Sequence, residues 1–217
     1  MRLFVRFLCL VMLMCMVEKN VLAQENPRAM ELKSITVGSG RDAIASGIVG
    51  TAIFNSRDGK LYGDFTVQAQ QSWLTMGRNF GTKTKATIGG TIGYFQGAPF
   101  VGPYVFVTRP IAPKISKISV SGLYWPAVFA WEPSEWKNDG VKNPEPLAIG
   151  NFGMVSIGTD RVRLTYALLD FMDDPFNRLP GISISAPYAK KMVFNANATW
   201  NTVGEEWMFY MGMTWSR

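Results

Sequence analysis

The feature that most constrains this chain is a side-chain alternation of period two. From residue 61 to 73, Leu61, Gly63, Phe65, Val67, Ala69 and Trp73 share one face, and Gln71 alone breaks the series. Tyr62, Asp64, Thr66, Gln68 and Gln70 share the other. Residues 86–94 repeat the pattern, as do residues 191–200 and 206–215, with Phe194 and Trp200, then Trp207, Phe209, Met211 and Trp215, on the apolar faces. A strand sends successive side chains to opposite sides, whereas a helix would scatter this pattern around its circumference.

Less sorted strand-like stretches lie at 30–37, 44–54, 100–109, 115–124, 127–131, 147–157 and 180–188. Turn signals separate them, among them Ser56-Arg57-Asp58-Gly59, Gly97-Ala98-Pro99 and Gly158-Thr159-Asp160. Residues 160–172 fit either a strand, with Val162, Leu164 and Tyr166 on one face, or a helix capped by Asp160. Strand neighbours favour the strand. If Trp125-Pro126 is a turn the strands number twelve, and ten or eight are the alternatives. Short and long connections then alternate, both chain ends fall on the short-turn side, and Glu132 to Pro146 is the longest link. A four-residue loop from Asn201 to Gly204 would pair Trp200 with Glu205, Ala198 with Trp207 and Phe194 with Met211.

The first 23 residues read as an address. A basic start at Arg2 and Arg6 precedes an unbroken apolar run from Phe7 to Val17, and Val21 and Ala23 form a small-residue cleavage site. The run would span ~16 Å as a helix, about half a hydrocarbon core. A signal peptide over 1–23 and a single β-barrel domain over 24–217 are therefore expected. No later stretch reaches the 18 or more apolar residues of a spanning helix. An exported chain of this kind is either soluble outside the cytoplasm or a membrane β-barrel.

Composition narrows the chemistry. There is no His, and both cysteines, Cys9 and Cys15, lie in the expected leader. Residues 24–217 thus hold no disulfide, no zinc site of Cys/His type and no Ser-His or Cys-His pair. No phosphate loop follows Gly38-Ser39-Gly40 or Gly89-Gly90. The sequence calls for no cofactor and no metal, and the net charge of +6 without a basic cluster argues against nucleic acid. The basic trio Arg109, Lys114 and Lys117 could meet lipid phosphate, but it also suits an ordinary solvated face.

Alternation alone does not say which face meets apolar surroundings. The polar faces carry Gln, Asn, Thr, Tyr and Gly more than Lys and Glu, which suits an enclosed wet interior where a lone charge is costly. Expected interior residues are Tyr62, Asp64, Thr66, Gln68, Gln70, Arg161, Arg163, Lys191, Asn195, Asn197, Thr199, Glu206 and Tyr210. Trp73, Trp125, Trp131, Trp200, Trp207 and Trp215 sit near expected strand ends, where an indole suits the headgroup level of a bilayer.

The leader, the Gly- and aromatic-rich alternating strands and the aromatic last strand resemble small bacterial outer-membrane β-barrel proteins. Trp215 is followed here by Ser216-Arg217, whereas such chains usually end in an aromatic residue. The resemblance implies an all-β, antiparallel up-and-down transmembrane barrel of 8–12 strands. It further implies an outer-membrane location, the lipid bilayer as partner, and a narrow pore for small polar solutes or a structural barrel, not an enzyme. The alternatives are a soluble periplasmic or secreted barrel holding an apolar ligand, and a lipid-modifying barrel enzyme without a His base. A pore requires Leu61, Phe65, Phe194 and Phe209 to point outward and Gln68 and Asn195 inward, and the soluble barrel requires the reverse.

Overall fold

A computed structural model describes residues 27–42, 46–111, 113, 117–131, 133, 146–171 and 177–217. The expected leader lies outside the described residues. Twelve strands follow one another along the chain. They are β1 Met30–Arg41, β2 Ser46–Ser56, β3 Leu61–Val67, β4 Gln71–Phe80, β5 Lys85–Phe95, β6 Ala98–Pro110, β7 Ser119–Trp131, β8 Pro146–Gly158, β9 Val162–Phe171, β10 Asn177–Ala189, β11 Met192–Asn201 and β12 Glu206–Ser216. Each pairs antiparallel with its neighbours in sequence. β1 pairs with β12, from Ser34↔Ser216 to Gly40↔Tyr210, so the sheet closes on itself. Closure removes both sheet edges, which in an open sheet would leave rows of unpaired N–H and C=O groups. No helix among the described residues is long and apolar enough to cross a membrane.

Twelve alternating strands bring the chain back to its starting rim. We call the end holding the start of β1 and the end of β12 the terminal rim, and the opposite end the far rim. Connections at the terminal rim run from two residues, 190–191, to eight, 111–118. The longest connection, 132–145, is at the far rim. Eleven of the strands have 10–13 residues and β3 has seven, close to the ~9–11 a tilted strand needs to cross a hydrocarbon core.

Twelve lies at the upper end of the expected 8–12, within the favoured 10–12, but two boundaries move. Trp125-Pro126 is no turn, because β7 runs through it, with Trp125 opposite Phe152 and Pro126 opposite Asn151. The expected single strand 61–73 instead folds back at 68–70 into β3 and β4. There the Gln68 amide N–H donates to the Gln71 carbonyl at 2.8 Å, and the Gln71 side-chain amide donates to Gln68 Oε1 at 2.8 Å. Two glutamines thus supply a turn without Gly or Pro, which turn chemistry does not advertise. The regular alternation of short and long connections disappears with these changes. Residues 160–172 are a strand, β9.

The last hairpin is two residues out from the expected register. Trp200 pairs with Trp207, Ala198 with Phe209 and Phe194 with Met213. The cause is local. Asn201 belongs to the strand and its Oδ1 accepts from the Val203 and Gly204 amides at 3.1 and 3.0 Å, which moves the loop to 202–205. A shift of two leaves every side chain on its original face.

Candidate functional site: the barrel interior

The outer face is apolar. Ile92, Phe209 and Met211 are 58, 59 and 60% exposed, with Ile48, Leu164, Val101 and Val155 comparably bare. Leu61 and Phe65 lie on the face opposite buried Asp64 and Thr66, and Phe194 is exposed. The opposite parity is buried in a sheet one layer thick, so it faces the interior of the closed barrel.

One wall of that interior is a ladder of neutral hydrogen-bonding groups. The Ser185 hydroxyl donates to Asn195 Oδ1 at 2.9 Å, Asn195 Nδ2 donates to Thr214 Oγ1 at 2.9 Å, and Thr214 and Thr36 hydroxyls meet at 2.8 Å. The chain of contacts therefore crosses β10, β11, β12 and β1. Thr51 meets Thr66 at 3.0 Å and Thr75 meets Thr91 at 3.1 Å, which carries the pattern across β2 to β5. Cross-strand Thr pairs of this kind bond one another directly. Asn197 donates to Asp42 at 3.0 Å, and Thr199 is buried. Tyr210 is buried against Val49, and its ring lies across Gly38 and Gly212. A Cβ at Gly38 would collide with the phenol, so Gly38 serves close approach.

Two charges sit within this frame. Asp64, 7% exposed, is buried among the hydroxyls of Tyr62 and Thr75 and the indole of Trp73. The rings of Tyr62 and Tyr104 stack at 6.3 Å and 9°. Arg163 has its donors engaged by neutral oxygens: Nε to Ser156 at 3.2 Å, one terminal nitrogen to the Ser119 hydroxyl at 2.9 Å, and the other to the Ser121 hydroxyl at 3.0 Å. Further contacts go to the Thr159 and Ser119 carbonyls. Arg163 is solvated by hydroxyls and carbonyls and Asp64 is surrounded by hydroxyl and indole donors, the compensation that a buried charge requires.

The other wall is apolar and was not anticipated. Ala98, Phe100, Ala127, Phe129 and Ala148 form a buried cluster on β6, β7 and β8, with Trp73, Phe95 and Trp125 packed on it. Trp125 is the hub, 5.3 Å from Trp73, 5.7 Å from Phe100 and 6.3 Å from Phe152 between ring centroids. Phe152, Ala167, Leu179 and Met208 continue the cluster toward β12. Trp73 and Trp125 therefore do not sit at an outer interface. The misplaced strand boundaries explain this, since Trp73 shares the face of Thr75 and Trp125 that of buried Ala127. Trp131 shares that parity but emerges at the far rim, where its indole donates to the Gly97 carbonyl at 2.8 Å. Trp200, Trp207 and Trp215 do lie on the outer face. Trp200 and Trp207 meet at 5.5 Å and Trp207 and Phe209 at 6.3 Å near the far rim, and Trp215 lies at the terminal rim.

Four expected interior residues sit elsewhere. Gln70 is exposed in the β3–β4 turn, and its neighbour Gln71 takes the buried place. Arg161 and Lys191 are exposed in the tight turns before β9 and β11. Glu206 keeps inward parity but is exposed at the far rim, where it pairs with Arg41 at 2.8 Å. Gln70, Arg161 and Lys191 fall in turns where the alternating pattern outruns the strands, and Glu206 is the first residue of β12, at the open rim. Thr36, Ser185 and Ser119 escape the sequence reading because single hydroxyls in mixed segments carry little periodic signal, and Thr214, on the polar face of 206–215, is not singled out by it. No cluster of three or more acidic, His or Cys groups that could hold a metal occurs among the described residues.

No protein-family profile matches the chain, and no curated protein does. Solved structures do. A KdgM porin is similar with a TM-score of 0.55 and 11% identity, over 85% of this chain and 99% of the porin. A KdgM porin in complex with disordered oligogalacturonate is similar with a TM-score of 0.54, at the same identity and coverage. At this identity the likeness is one of fold, the closed all-β barrel.

Proposed function

We propose that this chain is an outer-membrane β-barrel that forms a narrow passage for small polar solutes, after removal of residues 1–23 as a signal peptide. The observation that carries the reading is the orientation of the alternation. Large apolar side chains cover the outside of a closed barrel, where water would penalise them at ~25 cal/mol per Å² and lipid would not. Leu61, Phe65, Phe194 and Phe209 point outward and Gln68 and Asn195 inward, the opposite of what a soluble ligand-binding barrel needs. The fold shared with KdgM porins supports the reading. So does the KdgM porin complex with disordered oligogalacturonate, a polar solute.

The passage follows the hydroxyl and amide ladder. Neutral donors and acceptors can replace part of a solute's hydration shell without trapping it as a fixed charge would. Tyr62, Asp64, Thr66, Asn195, Asn197, Thr199 and Tyr210 line this route, with Arg163 fixed near the terminal rim. The aromatic cluster fills the other side and narrows the lumen, as side chains do in small barrels. The chain acts by positioning polar groups along a path and carries out no reaction.

Two measurements test this. The protein should leave membranes only with detergent and shift its gel mobility on boiling, and release in a soluble fraction would overturn the location. In a planar bilayer it should give small discrete conductance steps. A protein that inserts yet conducts nothing would be a structural barrel, not a pore.

A further inference from the structure

Charge is divided unevenly between the two rims. Among the described residues, the connections at the terminal rim hold seven cations and two acids, while those at the far rim hold two acids and no cation. Each of the five terminal-rim connections contributes, through Lys60, Lys83, Lys117, Arg161 and Lys190, all exposed. The cations therefore form a ring around the whole circumference and not a patch on one side. The ring continues onto the outer face. Arg78 is exposed there, with its guanidinium 5.6 Å from the Phe80 ring centroid, and outward-facing Trp215 sits at the same rim. An aromatic side chain under a cation is an arrangement for the boundary between apolar chains and charged headgroups.

We propose that the terminal rim binds anionic phospholipid headgroups of the leaflet it meets. The inference rests on the membrane-barrel reading above and adds a specific lipid class and orientation. The longest connection is at the far rim, and longer loops mark the outer surface of such barrels, so the terminal rim faces the periplasmic leaflet. Exposed Lys and Arg near a membrane surface each favour anionic over neutral headgroups, and that attraction fades beyond a Debye length. The phosphodiester is the recognised group. The ring position, outside the strands and around the apolar belt, selects lipid over a solute passing along the axis.

The test uses the full-length barrel in vesicles of phosphatidylcholine doped with spin-labelled phosphatidylglycerol or spin-labelled phosphatidylcholine. The motionally restricted fraction should favour phosphatidylglycerol by about fivefold in dilute buffer and lose that preference at ~1 M salt, where screening is complete within about 3 Å. The combined Lys83→Gln, Lys190→Gln and Lys191→Gln variant should lose most of the preference while keeping its heat-shifted gel mobility. Arg41→Gln with Arg178→Gln, at the far rim, should keep it. Equal retention of both lipids by the wild-type barrel would overturn the proposal, as would equal losses in the two variants. If the terminal-rim variant changed ion selectivity and left lipid retention untouched, the ring would act on solutes and the proposal would fall. Failure of the wild-type protein to insert into either vesicle would instead sink the membrane reading on which it rests.

Discussion

The two walls of the interior are built from opposite chemistry in one closed sheet. The wall from β10 through β12 to β3 meets most of its buried groups with hydrogen bonds such as Asn195–Thr214, although Asn55 Oδ1 on β2 has no partner among the described residues. The aromatic cluster on β6 to β8 makes no such bonds, because Phe100, Phe129 and Ala127 have nothing polar to satisfy, and the hydroxyls of these strands gather around Arg163 toward the terminal rim. Trp125 shows the limit of that solution. Its buried indole nitrogen has no acceptor among the described residues. A barrel with a fully polar lumen would lack a core, and one with a fully apolar lumen would close to solutes. On the pore reading proposed above, the division assigns stability to one side and the passage to the other.

Truncating the apolar wall should cost most. Trp125→Ala removes the ring that joins Trp73, Phe100 and Phe152 and should lower the unfolding free energy by about 3–5 kcal/mol in urea titrations. The outer Trp207→Ala should cost much less, since that ring is 56% exposed. Equal losses would break the distinction between the walls and the outer face. Trp125→Phe sharpens it, because the ring is kept and the orphan donor removed, so stability should stay within about 1 kcal/mol of wild type or rise.

Next in size is a charge on the outer face. Met211 lies at the centre of β12, opposite Ser39 and Ala196. Met211→Lys should destabilise the bilayer-inserted barrel by about 2–4 kcal/mol, measured by refolding into vesicles. Little change would argue that this face meets water.

The polar wall should respond less to a single loss. Asn195→Ala leaves Ser185 and Thr214 without their amide partner and should cost about 1–3 kcal/mol. Thr214→Val on that background should add less than it does alone, because the two share one network. Full additivity would show that the ladder is not a unit.

The smallest effect belongs to a turn. The Ser56 hydroxyl and the Lys60 amide donate to Asp58 at 2.5 and 3.0 Å, and the first of these does most to hold the carboxyl below its ordinary range. A carboxyl lowered in the folded state adds stability above its unfolded pKa of about 3.9, and loses it as pH falls through the folded value. Exchange protection of the Gly59 and Lys60 amides should therefore weaken in acid in the wild-type protein and show no such step in Asp58→Asn.

Much of the fold was legible because alternation is a local property. The faces of 61–67, 86–94, 191–200 and 206–215 follow from the sequence, and they determine which residues can meet inside the barrel. The strand count came out at twelve although the 125–126 break was wrong, because an unseen turn at 68–70 replaced it. That turn is held by Gln68 and Gln71, residues without a turn preference, so only pairing between β3 and β4 reveals it. The interior aromatic wall was hidden for the same reason. Without correct strand ends, Trp73 and Trp125 read as boundary residues when they are the middle of a core. Residues in tight turns, such as Arg161 and Lys191, share on paper the parity of the strand that starts just after them.

The most direct test of the account reads side-chain direction in the membrane. Residues 24–217 have no native cysteine, so Asn197→Cys and Met211→Cys each introduce a single thiol beyond the expected leader. In the reconstituted barrel, a small water-soluble thiol reagent should label position 197 and leave position 211 unlabelled, while a lipid-dissolved reagent should do the reverse. Rapid aqueous labelling at 211 with protection at 197 would turn the barrel inside out and contradict the account.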